Sequence, residues 1–482
     1  MSDPERFDLV VIGAGPAGEK GAAQAAYFGK KVCLVERAPK PGGAAVNTGT
    51  IPSKTLRETA LYFSGLKQRG LYGVDYHVQS DITVPDFMFR ERLVVEAEWE
   101  LIHQNLERHH ITVVQGAARF VDAHTIDVTR YKQESRHIHG DVVLIATGSR
   151  PLRPANIPFD DAIVVDSDSL LRLQRIPTRM VVIGGGVIGC EYASIFAALG
   201  VKVTIVNQRE RILTQLDGEV SEVLRTELTR RLGITVMVNS EVASVEIDGA
   251  LARVTLTDGK LLHGECVLYS AGREGVTQDL DLGAAGVKAN NRGFIEVDAN
   301  YRTGKEPVYA VGDVIGFPAL ASTAMEQARV AMCHAFDLKY KDRVSPVLPY
   351  GVWTIPEVAM VGETEESARL KGLAYEIGKA SFAHNPRGLI LGDEGFVKLI
   401  FDAHNQQLLG AAIVGEGACE LIHIAAAVMF NEGTIDYFIQ AVFNYPALSD
   451  EYKYAAYDGL QRMAKRVSRH EGMRAVGART SG

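Results

Sequence analysis

The sequence predicts an α/β protein with two Rossmann-like dinucleotide-binding domains and a C-terminal α+β domain. Three observations carry this. A chain of 482 residues exceeds the ~250–300 residues at which single cores stop growing, so several domains are needed. The segment Gly13-Ala14-Gly15-Pro16-Ala17-Gly18 recurs in kind as Gly184-Gly185-Gly186-Val187-Ile188-Gly189, each copy between a short apolar run and a helix-forming stretch. After Val344 the pattern changes to antiparallel strands followed by helices.

Phe7 to Ile12 is a short apolar run that reads as a buried parallel strand. A helix is expected from Glu19 to Phe28, stopped by Gly29, and Lys31 to Val35 is the next strand, closed by Glu36. Together these make one βαβ unit. Gly42, Gly43 and Gly49 form a glycine-rich loop, after which Pro52 and Ser53 open a helix that carries Lys54. A long helix is expected from about Pro85 to Arg108, with Phe87, Val94, Trp99, Ile102 and Leu106 on its apolar face. Ile111 to Arg119 and Thr125 to Val128 read as a small antiparallel element, and Asp141 to Ala146 as a strand ending in Thr147 and Gly148.

The second unit repeats the first: strand Met180 to Ile183, helix Glu191 to Leu199, strand Val201 to Val206. Strands around Leu251 to Thr257 and Glu265 to Tyr269 lead to Ala271 and Gly272. Pro307 to Val311 is a strand with Gly312 and Asp313 at its end and a helix from about Ser322 to Phe336 behind it. Further on, Trp353, Val358, Val361, Phe396 to Phe401 and Leu408 to Ile413 mark antiparallel strands, and Glu420 to Phe430 and Thr434 to Val442 mark helices. The expected domains are 1–150 with 277–345, 151–276, and 346–465, with 466–482 as a flexible basic tail containing Arg469, Arg474 and Arg479.

Composition narrows the function classes. Hydrophobic residues at 46% and charged residues at 23% match a soluble globular protein and exclude a disordered chain. A net charge of -8 argues against a nucleic-acid partner, which would favour a basic surface. The 47 glycines follow no three-residue period, which excludes collagen. The five cysteines, Cys33, Cys190, Cys266, Cys333 and Cys419, form no CxxC pair and sit mostly in apolar runs, as expected of reduced thiols in the cytoplasm. The N-terminus has no apolar targeting segment. No run approaches the ~18 apolar residues of a membrane span. His384 and His423 have no partners at metal-ligand spacing, and His423 reads as a core or interface histidine, so no metal site is expected.

In each fingerprint the first glycine makes a tight turn. The second lets backbone approach a pyrophosphate, and the third lets helix and strand pack closely. The helix N-terminus offers its unpaired N–H groups to the phosphates. Gly13, Gly15 and Gly18 are followed by Glu36, placed to take the ribose hydroxyls of an adenosine. Gly184, Gly186 and Gly189 are followed instead by Asn207, with Arg209 and Arg211 close behind. A carboxylate there would repel a 2′-phosphate, whereas a neutral amide beside arginines accepts NAD or NADP. The other reading of the two arginines is plain surface charge.

With Ala146-Thr147-Gly148, Ala271-Gly272-Arg273 and Tyr309-Ala310-Val311-Gly312-Asp313, these motifs resemble the two-dinucleotide flavoprotein family of dihydrolipoamide dehydrogenase, glutathione reductase and mercuric reductase. The resemblance spans essentially the whole chain. It implies bound FAD, an NAD(P) domain inserted in the FAD domain, and a C-terminal domain that makes a homodimer. It also implies that Asp313 touches the ribityl-phosphate part of the flavin, that Gly43 and Thr50 line the flavin site, and that Lys54 and Glu191 form an ion pair beside flavin N5.

The departures from the family point to the chemistry. Disulfide reductases of the family carry two cysteines in the loop before Ile-Pro-Ser-Lys. Here those positions are Ala45 and Thr50, and neither can exchange with a disulfide. Their acid/base His is here Tyr445, before Pro446, and the Glu that holds it is Asp450. Tyrosine, with a pKa near ~10, is a poor base at neutral pH. This pattern is similar to the soluble pyridine nucleotide transhydrogenase branch. The resemblance then implies hydride transfer from NADPH or NADH to FAD and on to the other nucleotide, with Tyr445 shielding the flavin, donating a hydrogen bond or simply packing. An NAD(P)H oxidase or quinone/dye reductase would use the same site, and a redox-sensing scaffold without turnover would keep the same phosphate loops.

Overall fold

The computed structural model describes residues 4–65, 82–130 and 135–479, with side chains through residue 466. Contacts divide the chain into two compact units. The first comprises Met1–Thr59, Ile82–Ile176 and Ser270–Val344, the second Ala60–Asp81, Pro177–Tyr269 and Ser345–Gly482.

The first unit is built on a parallel sheet ordered Thr112–Gln115, Val32–Glu36, Glu5–Ile12, Arg136–Ile145, with Val308–Ala310 parallel to the last. Leu9 and Val11 point into a core with Ala22, Ala25 and Ala328. Phe7, Val10 and Ile12 point to the opposite face, with Phe120, Ile126 and Val308. Burial on both faces is why this strand reads as an unbroken apolar run rather than an alternating one. Helix Pro16–Tyr27 starts inside the first fingerprint, and its small residues let it pack closely on helix Ala321–Ala335. The helix expected from Pro85 spans Val84–Arg108 and starts with a capping box between Thr83 and Asp86.

The second unit repeats the parallel sheet as Thr235–Met237, Lys202–Val206, Arg179–Ile183, Cys266–Tyr269, with helices Val187–Ala198 and Gly218–Leu232. It also holds a five-stranded antiparallel sheet ordered Tyr350–Val352, Val358–Gly362, Leu408–Val414, Phe396–Asp402, Tyr375–Ser381. Helices Ala418–Phe430 and Glu451–Arg479 pack on that sheet around Phe401, Phe438 and Tyr452.

Several expectations are corrected. Both fingerprint helices start at the glycines, at Pro16 and Val187, not at Glu19 and Glu191. Thr112–Gln115 is a parallel strand of the main sheet; Ala117–Phe120 pairs antiparallel with Thr125–Thr129, which pairs antiparallel in turn with Arg136–Ile145. Val95 rather than Val94 is buried on the long helix. The expected glycine loop contains a short helix, Gly43–Asn47, and Thr50 begins the next one, Thr50–Ser64. His423 is exposed on this chain rather than in its core. Helix Glu451–Arg479 extends into the segment expected as a tail; side chains from 467 on, Arg469, Arg474 and Arg479 among them, lie outside the described residues. Among the described residues no helix is long and apolar enough to cross a membrane.

Candidate functional site

The first fingerprint divides its labour as its spacing predicts. Gly13 has φ +102°, and a Cβ there would lie 2.6 Å from the Ala146 carbonyl oxygen. At Gly18 a Cβ would lie 1.8 Å from the Gly13 carbonyl oxygen, so this glycine is a packing requirement. Gly15 is different: a Cβ there meets only Gly43 Cα, at 3.7 Å. The space over Gly15 and the N-terminus of Pro16–Tyr27 is an open cradle, and among the described residues no side chain caps that helix end. Close by in sequence to Ala146, Thr147 Oγ1 is buried without a hydrogen-bond partner among the described residues. Open backbone at a helix N-terminus and an unsatisfied hydroxyl fit a phosphate-bearing dinucleotide.

Glu36 closes this cradle. Its Oε2 accepts the Ala14 N–H at 2.7 Å and its Oε1 accepts the Ala38 N–H at 2.8 Å. Each oxygen keeps a lone pair for a ribose hydroxyl. The loop that carries Gly43 and Thr50 is tied down by Asn47, a residue the sequence reading passed over. The Asn47 amide donates to Pro41 O at 3.0 Å and Gly43 O at 2.8 Å, and accepts Trp99 Nε1–H at 2.9 Å. Lys54 lies in helix Thr50–Ser64, half-buried, and donates to Ser53 Oγ at 3.3 Å.

Asp313 sits in the turn after Val308–Ala310, as expected, and belongs to a polar chain. Ser149 Oγ donates to Asp313 Oδ2 at 2.8 Å, and Arg273 donates to both Ser149 Oγ and Ser149 O, each at 2.8 Å. The neighbouring Gly312 N–H donates to the buried Gln327 Oε1 at 2.8 Å. Gly148 and Gly272 lie on the two short segments that Arg273–Gly275 and Ser149–Pro151 continue as an antiparallel pair. Two nearby aspartates differ in environment. Burial opposes ionisation of Asp166, but hydrogen bonds from Arg153 and Ser169 outweigh it and hold this carboxyl below the usual range. Burial pushes Asp168 up, against the Arg273 charge and a hydrogen bond from Thr48.

The second fingerprint repeats the first. Gly184 has φ +113°, and a Cβ at the exposed Gly186 would meet nothing within 4 Å. Gly189 is buried within helix Val187–Ala198. Asn207 takes the brace position of Glu36: its Oδ1 accepts the Gly185 N–H at 3.1 Å. Its Nδ2 donates to Arg209 O at 3.0 Å and Arg211 O at 2.9 Å, so both donors serve the loop itself. The two arginines, paired by the sequence reading, part company here. Arg211 turns to Glu366, with Nη1 to Oε1 at 2.9 Å. Arg209 is exposed and donates to Thr214 Oγ1 at 2.6 Å. Glu191 is buried, and its Oε1 accepts the Trp353 N–H at 2.9 Å. Tyr445 is 76% exposed on the chain by itself.

No thiol chemistry is placed at the loop. All five cysteines are buried, and burial pushes the Cys33 and Cys190 thiols up to about 12, far from a reactive thiolate. Among the described residues one cluster has a metal-like donor set, Asp217, Glu219 and Glu365. The ammonium of Lys398 fills its centre, at 2.9, 3.1 and 2.6 Å from the three carboxylates.

Two dinucleotide cradles on repeated βαβ units, with a C-terminal antiparallel sheet, define a two-nucleotide oxidoreductase. The chain belongs to the pyridine nucleotide-disulphide oxidoreductase family: the family model matches residues 7–328, and that of its dimerisation domain matches residues 348–456. It is 46% identical over 459 residues to a soluble pyridine nucleotide transhydrogenase of Mycobacterium tuberculosis, covering 95% of this chain and 98% of that one. To the protein of the same name from Colwellia psychrerythraea it is 39% identical, with the same coverage. Among solved structures it resembles LpdA of Mycobacterium tuberculosis, with a TM-score of 0.86 at 29% identity over 94% of this chain and 99% of that one. It also resembles the HOCl-induced flavoprotein disulfide reductase RclA of Escherichia coli, with a TM-score of 0.83 at 28% identity and the same coverage.

Proposed function

We propose that the chain transfers hydride between NADPH and NAD through bound FAD, as a homodimer in the cytoplasm, and without a redox-active disulfide. The observation that carries this is the pairing of two open dinucleotide cradles with a loop that has Ala45 and Thr50 where a dithiol would stand. FAD supplies a two-electron store when bound, so no thiol pair is required.

The residues of the chain bind and orient. Gly13, Gly15, Gly18 and Glu36 hold the adenosine diphosphate part of FAD. Gly43, Thr50, Ala146, Thr147, Gly148, Gly272, Gly312 and Asp313 border the rest of the flavin. Gly184, Gly186, Gly189 and Asn207 shape the nicotinamide-nucleotide cradle, one cradle serving both nucleotides in turn. Lys54 supplies a fixed positive charge that favours the reduced flavin, and Glu191 the complementary negative one. Tyr445 shields the flavin from solvent in the assembled dimer. The domain boundaries read from the sequence remain part of this reading.

Mixing the yellow protein anaerobically with NADPH, then with a spectrally distinct NAD analogue, tests it. One reduced analogue per flavin is expected, with return of the oxidised flavin spectrum. A flavin that stays reduced until oxygen or a quinone is admitted would replace this reading with that of an oxidase or quinone reductase.

The parting of the two arginines gives a second expectation. Arg209, exposed and with no acidic partner among the described residues, is the cation offered to a 2′-phosphate, whereas Arg211 is a strut to Glu366. Arg209→Gln is expected to weaken NADPH binding about tenfold, the worth of one charge-assisted hydrogen bond, and to leave NADH binding nearly unchanged. Arg211→Gln is expected to lower thermal stability and leave the NADPH/NADH ratio alone. Titrating both nucleotides against each variant checks this, and an altered ratio in Arg211→Gln would refute the strut.

A further inference from the structure

We propose that Glu366 is a positioning residue for the nicotinamide-nucleotide cradle, holding the loop after Asn207 in the shape that meets the fingerprint turn. This rests on the nucleotide reading of the second cradle.

The loop from Asn207 to Leu216 joins strand Lys202–Val206 to helix Gly218–Leu232. It folds back onto the fingerprint. The Leu213 N–H donates to Gly185 O at 2.8 Å, and a Cβ on Gly185 would lie 2.8 Å from Ile212 Cγ2. The contact is made in a strained shape: Leu213 has φ +46°, in the left-handed region that favours glycine. Such a conformation persists only where its surroundings over-determine it. Ser221 Oγ donates to Ile212 O at 2.6 Å. Arg211 Nη2 donates to Thr214 O and Leu216 O, each at 3.4 Å. Arg211 Nη1 is fixed in turn by Glu366 Oε1 at 2.9 Å. The same oxygen accepts the Gly218 N–H at 3.0 Å. One carboxylate thus grips both ends of the strained segment, Arg211 before it and Gly218 after it.

Glu366 stands in the short helix Glu365–Leu370, within the stretch that matches the dimerisation domain. Two helix starts cap each other here. Asp217, the N-cap of Gly218–Leu232, accepts the Glu365 N–H through Oδ2 at 3.2 Å, while Glu366 accepts the Gly218 N–H. Helix starts leave amides unsatisfied and favour carboxylates, so acids exchanged between two of them lock the pair together. Lys398, on strand Phe396–Asp402, holds Asp217 Oδ1 at 2.9 Å. A run of bonds therefore leads from the antiparallel sheet to Gly185. Gly218 leaves room for this junction, because a Cβ there would collide with Glu366 Oε1 and Arg211 Nη1. Both atoms end flexible side chains, and the Gly218 backbone is helical. Alanine at 218 therefore suits the helix and displaces the carboxylate.

The test is steady-state kinetics of the flavin-loaded protein with NADPH and NAD. Gly185 lies in the turn that both nucleotides share, so both are affected alike. Glu366→Ala is expected to raise KM for each by one common factor, about tenfold, the worth of a charge-assisted hydrogen bond, with kcat at saturation kept. Gly218→Ala, which leaves every charge in place, is expected to do the same. The double variant is expected to be no worse than either single one, since both remove the same contact. Unchanged KM values with lowered thermal stability would leave Glu366 a structural contact only and overturn the proposal. Additive effects, or a rise for one nucleotide alone, would overturn it too. If Glu366→Ala does not fold, Gly218→Ala decides by itself. A wild-type protein that binds neither nucleotide overturns the nucleotide reading instead.

Discussion

Gly18→Ala is expected to yield a protein without flavin and with a loosened first unit. The added Cβ would sit 1.8 Å from the Gly13 carbonyl oxygen and 3.3 Å from Val11 Cγ1. A methyl forced against side chains costs ~1–3 kcal/mol because rotamers yield. Here the obstacle is backbone, and that backbone is the turn made by Gly13. Relief requires helix Pro16–Tyr27 to lift off strand Glu5–Ile12, which opens the core at Leu9, Val11, Ala22 and Ala25. Flavin absorbance per chain and thermal unfolding measure the effect. Gly186→Ala is the matched control. Its Cβ meets nothing within 4 Å of the chain, so colour and stability are expected to survive while nucleotide KM rises about tenfold or more. A Gly18→Ala protein as yellow and stable as wild type would mean that helix and strand are not held together by this contact.

Lys398→Met is expected to cost about 3–5 kcal/mol, the usual price of stripping one partner from a buried ionic cluster. Lys398 is fully buried, and Asp217, Glu219 and Glu365 all direct a carboxylate at it. Lys379 adds a second contact to Glu219. Burial opposes the charge on Lys398, but hydrogen bonds to Glu365 and Asp217 outweigh it and raise its value. Its contribution is thus complete below the ordinary lysine range and lost only as pH rises through the raised value. Glu219 and Glu365 are likewise opposed by burial and held low by the lysines. Their contribution is present above the ordinary glutamate range and lost as pH falls through their lowered values. Wild type should therefore be steady around neutrality and lose stability in acid. In Lys398→Met the carboxylates repel one another, and protonation relieves them. The deficit against wild type is expected to be greatest near neutral pH and to shrink in acid. Denaturant unfolding across pH measures it, and a constant deficit would show that lost packing, not charge, is responsible.

The residues explain why some features were legible and others were not. The two fingerprints announced themselves because a glycine turn, an apolar strand and a helix must occur together for backbone to approach a phosphate. Their helix starts were misplaced because Gly15 and Gly186 already stand as N-caps, a role usually read from Ser, Thr or Asp. Helix Gly218–Leu232 was missed although Asp217 caps it and Gly233 ends it. Its charged surface hides a narrow stripe of Val220, Leu224 and Leu228. Strand Tyr375–Ser381 was missed because its burial is partial and it lies at a sheet edge. Asn47 and Ser149 carry no motif. Their importance comes from partners up to 164 residues away, as in the bond from Ser149 to Asp313, and no local pattern records such a pairing. Arg209 and Arg211 show the reverse limit: identical neighbours in sequence, they acquire different duties only because Glu366 reaches one of them.

Glu36 and Asn207 hold the same knot in the two halves of a duplicated plan. Each accepts one N–H from the glycine turn, at 2.7 Å from Ala14 and 3.1 Å from Gly185. The other atom on the same carbon is committed as well: Glu36 Oε1 accepts the Ala38 N–H at 2.8 Å, whereas Asn207 Nδ2 donates to the Arg209 and Arg211 carbonyls at 3.0 and 2.9 Å. An oxygen in place of that NH2 would face two carbonyl oxygens, and an NH2 in place of the Glu36 oxygen would face an N–H. The loop that follows each strand therefore dictates whether acid or amide stands at its mouth, and a change of charge there has to bring a change of loop with it.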